Sequence, residues 1–442
     1  MAGHRTSSIS KTISANPSYQ TYDIPAPTPI LVAVDIISSP MSDVYVDNKH
    51  VGSTPLTVNL LVGKHKVQFR KDGFGLQEKD VELKEGQPST VQVTLQKGTS
   101  QSASFTGGGS LSSNGTANCY VVSSSGTYSF PTVKGNSSQS VGAVASAAVL
   151  WESFGTSTTP RVGDLIKSVS YNNGYISFQT ADTFKEGNAV IAAKDASGNI
   201  LWSWHIWLTD QPQGQVYYNN AGTMMDRNLG ATSATSGNVG ALGLLYQWGR
   251  KDPFLGSSSI SSDKEAKSTI TWPSAVSSDS STGTLAYATA NPTTFIYASS
   301  PPYDWHYSSR DNSLWTTSDK TKSIYDPCPA GWRVPDGGSN GVWSKAVGSS
   351  STFDYTYNST NKGMNFSGKS GSASTIWYPA SGYRSSSDGS LYIVGYGGSC
   401  WSASPYDYLA YYLYFFNGGY VIPSGSSNRA SGQSVRCLQE SK

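Results

Sequence analysis

The sequence predicts a mainly β, multidomain protein, and three observations carry that expectation. Charged residues make up only 14% of the 442, against 37% hydrophobic, which is too little Glu and Lys to solvate the outer faces of many helices. Apolar and polar residues alternate in short runs, the period of a half-buried strand. Turn residues (Gly, Pro, Asn and Asp) separate those runs. A chain of this length is expected to hold about three domains. The net charge is +2 and the Lys and Arg residues are scattered, so no basic stripe marks nucleic acid as a partner. No apolar run approaches the ~20 residues a membrane-spanning helix needs, so no membrane insertion is expected.

Residues 1–29 are polar and carry Pro17, Pro25, Pro27 and Pro29. They lack the apolar centre of a signal peptide and an early lipoprotein cysteine, the first cysteine being Cys119. Two readings fit: a mature form whose signal has been removed, or a protein that reaches the outside without one, as a phage structural protein does. The segment reads as an extended docking arm that orders on a partner, a phage fibre or pilus subunit.

Residues 30–97 read as six strands: "LVAVDII", "SDVYVD", "LTVNLL", "HKVQFR", "QEKDVEL" and "STVQVTL". Val67 and Phe69, and Val91, Val93 and Leu95, alternate as half-buried antiparallel strands do. The run from Gly52-Ser-Thr-Pro55-Leu56 through Gly63-Lys-His-Lys-Val67 to Lys71-Asp-Gly73-Phe74 resembles the PEGA domain. The resemblance implies a small β-sandwich serving as a spacer or surface module, with no catalytic residues to carry over. His50 and His65 lie in its turns and read as solvated surface histidines.

A Gly/Ser/Thr-rich stretch, residues 98–112, reads as a linker. Residues 113–212 hold about seven further alternating runs, with hairpin signals at Asn172-Asn173-Gly174 and Ser197-Gly198-Asn199. That density suggests an immunoglobulin-like β-sandwich. Trp202, Trp204 and Trp207 read as core or interface residues. The segment "ANCYVVSSSGTYSFPTVKGN" is similar to one that recurs in surface and fimbrillin-like proteins of gut Bacteroidetes, which implies exposure and habitat.

Residues 213–442 change character. In "VGALGLLYQWGRKDPF" Leu244, Leu245 and Trp248 stand at helical spacing beside Ala241, predicting an amphipathic helix that stops before Pro253. A second short helix is expected around Val342, then a strand-rich end. The segments "RNLGATSATSGNVGALGLLYQWGRKDPF", "DPCPAGWRVP", "GMNFSG", "PASGYRSSSDGSLY", "CWSAS" and "SVRC" resemble the Fibrobacter succinogenes major paralogous domain. That family is similar to the C-type-lectin-like α+β fold shared with formylglycine-generating enzyme. Within it, residues 383–436 look like the variable region of a diversity-generating retroelement target, found in Bacteroides and its phages. The resemblance implies a fixed scaffold (Trp401, Ala410, Leu413, Phe415, Pro423, Arg429, Gly432 and residues 434–437) with interspersed positions varied by adenine-directed mutagenesis. Cys328 and Cys437 fall in the fixed motifs and read as a disulfide. Cys119 reads as a buried thiol, and Cys400, inside the variable stretch, as a sampled substitution.

The residues themselves point the same way. Nine of the chain's 27 tyrosines fall within Tyr383–Tyr420, with Ser, Gly and Asp between them. Tyr supplies rigid amphipathic contact area and Ser and Gly adapt, the composition of an antibody paratope. In "LAYYLYFF" Tyr411, Leu413 and Phe415 suit a buried side, leaving Tyr412, Tyr414 and Phe416 to point outward. The expected ligand-binding set opens with Tyr392, Ile393, Tyr396, Tyr406, Asp407 and Tyr408. It continues through Tyr412, Tyr414, Phe416, Tyr420 and Ile422 to Ser424, Ser426 and Ser427. The alternative is that these rings pack against another domain or another copy.

Other chemistry is not expected. "GMNFSGKS" matches a phosphate-binding loop by letters but lacks the preceding buried strand and the following helix. The five His are dispersed, no nucleophile–base motif stands out, and no reactive cysteine pair is placed, so no enzyme and no metal or other cofactor is expected, with structural calcium left open. The sequence therefore predicts a receptor-binding adhesin of a Bacteroides phage tail fibre or tail tip, located on the virion, whose partner is a bacterial surface protein or glycan. The alternative is a cell-surface or pilus-tip adhesin of the bacterium, and a surface-glycan-modifying enzyme stands third. Oligomeric state is not legible.

Overall fold

A computed structural model of the full chain describes residues 4–6, 8, 10, 26–47, 49–71, 77–95, 109–307, 311–316, 321–347, 353–368 and 376–440. Strand accounts for 45% and helix for 5%, so the protein is mainly β. The chain divides into two compact units, residues 1–101 and residues 102–442.

In the first unit Leu31–Ser39 lies between Leu56–Leu61 and, running parallel, Ser89–Thr94. A second sheet is ordered Lys49–Ser53, Asp43–Val46, Gly63–Arg70, Gln77–Leu83. Strict alternation buries Val32, Val34 and Ile36 from one sheet against Val44, Val67 and Phe69 from the other, closing a small sandwich. Lys49–Ser53 is a seventh strand beyond the six expected. His65 corrects its expected role: the ring is tucked in, with Nδ1 at 2.6 Å from Asp47 Oδ2 and Nε2 at 2.7 Å from the Leu61 carbonyl. Most of the arm expected at 1–29 lies outside the described residues. Its described ends meet, His4–Arg5 pairing antiparallel with Thr28–Pro29, so they do not run away as an extended tail.

The second unit contains two sheets over residues 113–212. One is ordered Cys119–Val122, Ile200–Leu208, Gly187–Lys194, Ser146–Ser153; the other Thr127–Pro131, Tyr175–Thr180, Ile166–Asn172. Phe130, Ile176 and Phe178 meet Tyr120, Ile191, Trp204 and Ile206 between them. Asn173 (φ 45°) and Gly174 (φ 81°) close the hairpin between Ile166–Asn172 and Tyr175–Thr180. Most of the linker expected at 98–112 lies outside the described residues, but Ser110 bridges to Ser129, tying that end to the sandwich.

This sandwich is not a free-standing spacer, because its four-stranded sheet is buried on both faces. On Ile200–Leu208, Trp204 and Ile206 enter the sandwich core, while Trp207 enters a second core shared with Trp248, Trp305 and Trp401. Trp207 Nε1 donates to Ala231 O at 3.0 Å, and Asn188 Nδ2 to Gly230 O at 2.9 Å.

Within residues 213–442 the main sheet is ordered Leu391–Tyr392, Tyr383–Arg384, Gly432–Ser434, Gly397–Tyr406, Leu409–Phe416, Tyr420–Asn428, and Leu245–Gln247 also pairs with Gly432–Ser434. A four-stranded sheet joins Gly214–Tyr217, Gly222–Met225, Leu438–Gln439 and Trp332–Arg333. A disulfide links Cys328 and Cys437 across 109 residues. The helix expected in "VGALGLLYQWGRKDPF" does not form: Val239–Ala241 is a single 3-10 turn and Leu245–Gln247 is a strand. Gly243 and Gly249 take φ of 74° and 85°, and Leu244, Leu245, Tyr246 and Trp248 are all buried, so the spacing reflected all-round burial and not one apolar face. Two short helices do form, Leu285–Ala290 and Val342–Val347, the second where one was expected. Gly363–Gly368, inside the "GMNFSGKS" match, is a strand paired on both edges and not a phosphate-cradling loop.

Candidate functional site: a tyrosine-rich sheet face

Leu409–Phe416 is central to the candidate site, paired with Gly397–Tyr406 on one edge and Tyr420–Asn428 on the other. Ala410, Leu413 and Phe415 are at most 1% exposed. Leu413 and Phe415 enter a core with Phe366 and Tyr378, the Phe415 ring standing edge-on to both. Gly398 makes this close packing workable: a Cβ there would lie 2.3 Å from Phe415 Cζ and 2.7 Å from Pro379 O. Trp401, Arg429, Val435, Arg436 and Cys437 are likewise buried, whereas Pro423 is half-buried.

The opposite side of the strand carries Tyr412, Tyr414 and Phe416. Tyr414 lies opposite Ile422, and Phe416 opposite Tyr420, so the four share one face. Tyr383 and Tyr392 join them from the paired strands Tyr383–Arg384 and Leu391–Tyr392, their rings stacked at 6.0 Å. Tyr412 and Tyr414 are 5.8 Å apart. Tyr412 departs from its expected outward position. Its ring leans on Trp401 at 6.0 Å and on the buried core beneath, because the sheet has a core on this side too at that end. Burial, then the phenols of Tyr414 and Tyr383, push the Tyr412 hydroxyl up to about 12. Burial also raises Tyr414, with Tyr383 and Tyr420 adding to it, and raises Tyr383, with Tyr392, Asp263 and Asp388 adding.

Two turns frame the face. In the first, Ile393 takes φ 54°, a left-handed conformation that costs a β-branched residue strain. Its carbonyl accepts from Tyr396 N and Gly397 N, and Val394 N donates to Asp263 Oδ1 at 2.9 Å. Asn417 N donates to Tyr396 O at 2.8 Å, joining this turn to the hairpin between Phe416 and Tyr420.

The second turn, Asp407–Tyr408, lies at the far end of Leu409–Phe416, roughly 24 Å along a strand of this length. Arg429 pins it from below: Nη2 donates to Asp407 O at 2.9 Å and to Asn312 Oδ1 at 2.6 Å, and Nε to Leu409 O at 3.0 Å. The guanidinium lies 4.3 Å from the Trp248 ring centre. Tyr406 and Tyr411 pack together here at 4.9 Å.

The expected ligand-binding residues thus fall into groups. Tyr392, Ile393, Tyr396, Tyr414, Phe416, Tyr420 and Ile422 gather at one end, Tyr406, Asp407 and Tyr408 at the other. Ser426 lies opposite Tyr411 and Ser427 opposite Ala410, so these two serines point to opposite sides, and Ser424 lies at the irregularity between them and Ile422. Cys400, inside the expected variable stretch, is buried in the core, its Sγ 3.8 Å from Asn228 Oδ1, and burial raises its thiol to about 12. Cys119 is buried as well. Asp263, Asp388 and Tyr357 border the face and went unnoticed in the sequence. Tyr357 donates its hydroxyl to Gly395 O, and no local pattern foretold that contact.

Exposed tyrosines concentrate in this region. Of the large apolar or aromatic side chains left exposed among the described residues, Tyr392 (44%), Tyr396 (54%), Tyr406 (49%), Tyr408 (39%) and Tyr420 (59%) all come from one stretch of 29 residues. Every one of the twelve tryptophans is at least half-buried. Among the described residues no group of three or more His, Cys, Asp or Glu is placed to hold a metal, and no helix is long and apolar enough to cross a membrane.

Comparison with known proteins adds one match. Residues 33–99 fit the family model of the PEGA domain, which marks that part of the chain as a surface-associated β domain of the kind found in extracellular and periplasmic proteins. No curated protein matches the chain.

Proposed function

We propose that the chain is a receptor-binding adhesin that works by recognition and not by catalysis, its second unit presenting the tyrosine-rich face to a bacterial surface receptor. The observation that carries this reading is the set of exposed tyrosines on the strands and turns of one sheet, over buried cores that hold Leu413 and Phe415 in one and Trp401 in the other. Rigid aromatic anchors on a fixed scaffold bind at low entropic cost. The resemblance of residues 213–442 to retroelement-diversified C-type-lectin-like proteins supports a face whose outer residues vary while its base does not. In that reading the chain belongs to a phage tail fibre or tail tip. The region matching the PEGA domain favours a second reading, an adhesin of the bacterial surface itself.

The test is binding of the labelled full chain to a panel of Bacteroides strains, followed by flow cytometry. Tyr392→Ser, Tyr414→Ser and Tyr420→Ser together should abolish staining while leaving the circular dichroism spectrum unchanged. Staining that survives in the folded triple variant rules the face out. Immunogold labelling of virions against intact cells separates phage from bacterial origin. Sequencing residues 383–436 across many clones tests diversification, which predicts changes confined to outward positions.

A further inference from the structure

We infer that the face takes a basic polypeptide surface, one that presents Arg or Lys side chains to the tyrosines. This deepens the adhesin reading and rests on it. Within the tyrosine-bearing stretch the charged side chains are of one sign. From Ser385 to Asn428 the chain holds two carboxylates, Asp388 and Asp407, and no Lys, Arg or His. A third carboxylate, Asp263, arrives from a distant loop and is fixed beside the rings by Val394 N. The two arginines bordering this stretch are turned inward. Arg384 donates to Leu255 O, Gly389 O and Glu265, and Arg429 is committed to Asp407 O, Leu409 O and Asn312. Lys264, next to Asp263 in the chain, is exposed.

Tyr392 and Tyr420 are exposed, Tyr383 and Tyr414 half-buried. Elsewhere in the unit cations sit on aromatic faces: Arg429 on Trp248 at 4.3 Å, Arg436 on Tyr378 at 3.6 Å and Lys251 on Trp202 at 4.6 Å. Among the described residues none covers Tyr383, Tyr392, Tyr414 or Tyr420. Electron-rich rings bordered by carboxylates attract a cation through the ring quadrupole and through charge complementarity together. The same charges repel nucleic acid and acidic glycans, and a neutral sugar gains nothing from them.

The experiment uses the full chain against displayed peptides in three pools (Lys/Arg-rich, uncharged and Asp/Glu-rich), with a neutral glycan array alongside. Three proteins are compared: wild type, Asp263→Asn with Asp388→Asn, and the serine triple variant at Tyr392, Tyr414 and Tyr420. Asn at 263 retains an oxygen for Val394 N, so the turn is preserved. The basic pool should be enriched, and its binders should weaken about fivefold in the double Asn variant, as two partly screened charge pairs dictate. They should weaken again between about 50 and about 300 mM NaCl and be lost in the serine variant. Binders that are uncharged, acidic or glycan, tyrosine-dependent but indifferent to salt and to the Asn variant, overturn the charge inference and leave the face as a recognition surface. Binding that ignores the tyrosines in every pool overturns both.

Discussion

If the tyrosines serve recognition, the outer face should tolerate substitutions that the layer beneath it does not. Gly398→Ala and Tyr420→Ser test this on the two strands that flank Leu409–Phe416 in one sheet. At Gly398 a methyl group would meet Phe415 Cζ at 2.3 Å and a backbone carbonyl at 2.7 Å. Phe415 cannot yield, being fully buried between Phe366 and Tyr378. Overpacking of this kind costs about 2–3 kcal/mol. Tyr420 is 59% exposed, so truncation forfeits less than half of the ~1.5–3 kcal/mol that complete burial of a large side chain supplies, or about 0.5–1 kcal/mol. Urea denaturation followed by tryptophan fluorescence reads the difference cleanly, since all twelve tryptophans lie in the unit spanning residues 102–442. A Tyr420→Ser cost equal to that of Gly398→Ala would mean that the face is itself structural, and the recognition reading would fail.

Three further outcomes are expected. Replacing Cys328 and Cys437 with Ser opens a link across 109 residues and should destabilise the second unit by about 4–5 kcal/mol in the chain-entropy account; a loss under about 1 kcal/mol in the same urea assay contradicts that account. Arg429→Lys exchanges a planar fork for a single ammonium that cannot serve Asp407 O, Leu409 O and Asn312 together. It should cost about 2–4 kcal/mol and speed amide exchange across 404–411, and unchanged exchange there would show that Arg429 does not hold the tip. The Tyr412 hydroxyl is pushed up to about 12 from an ordinary 10, so folding favours its neutral form. Its contribution to stability should be complete below pH 10 and decline as pH rises towards 12, and Tyr412→Phe should remove that part of the alkaline decline. Identical alkaline slopes for the two proteins would contradict it.

What the sequence disclosed depended on how far each signal reached. Period-2 alternation in Ser89–Thr94 and the Asn173-Gly174 turn are local, and both were legible. Lys49–Ser53 was missed because Gly52 interrupts so short a strand. The 239–250 segment was misread because burial on every side imitates helical spacing when Leu and Trp are dense. At the candidate site the identity of the tyrosines was plain, but their depth was not. Tyr412 is half-buried because Trp401 stands beside it on the adjacent strand, and Asp263 comes to Val394 from 131 residues away in the chain. Neither effect leaves a trace in the residues next to Tyr412 or Val394. Ile393 is the reverse case, a residue whose type argues against its backbone conformation.

The order in which the strands close matters for synthesis. Leu438–Gln439 pairs with both Gly222–Met225 and Trp332–Arg333, and Gly432–Ser434 bridges Leu245–Gln247 to Gly397–Tyr406. A nascent chain can complete neither sheet until residues 432–439 have emerged from the ribosome. The tyrosine-bearing strands are made just before those closing strands, so they spend little time exposed without their base. A change on the face that jams the sheet would also leave the final strands unpaired, and the cell's proteases would meet an open protein. Folding therefore screens any substitution on this face.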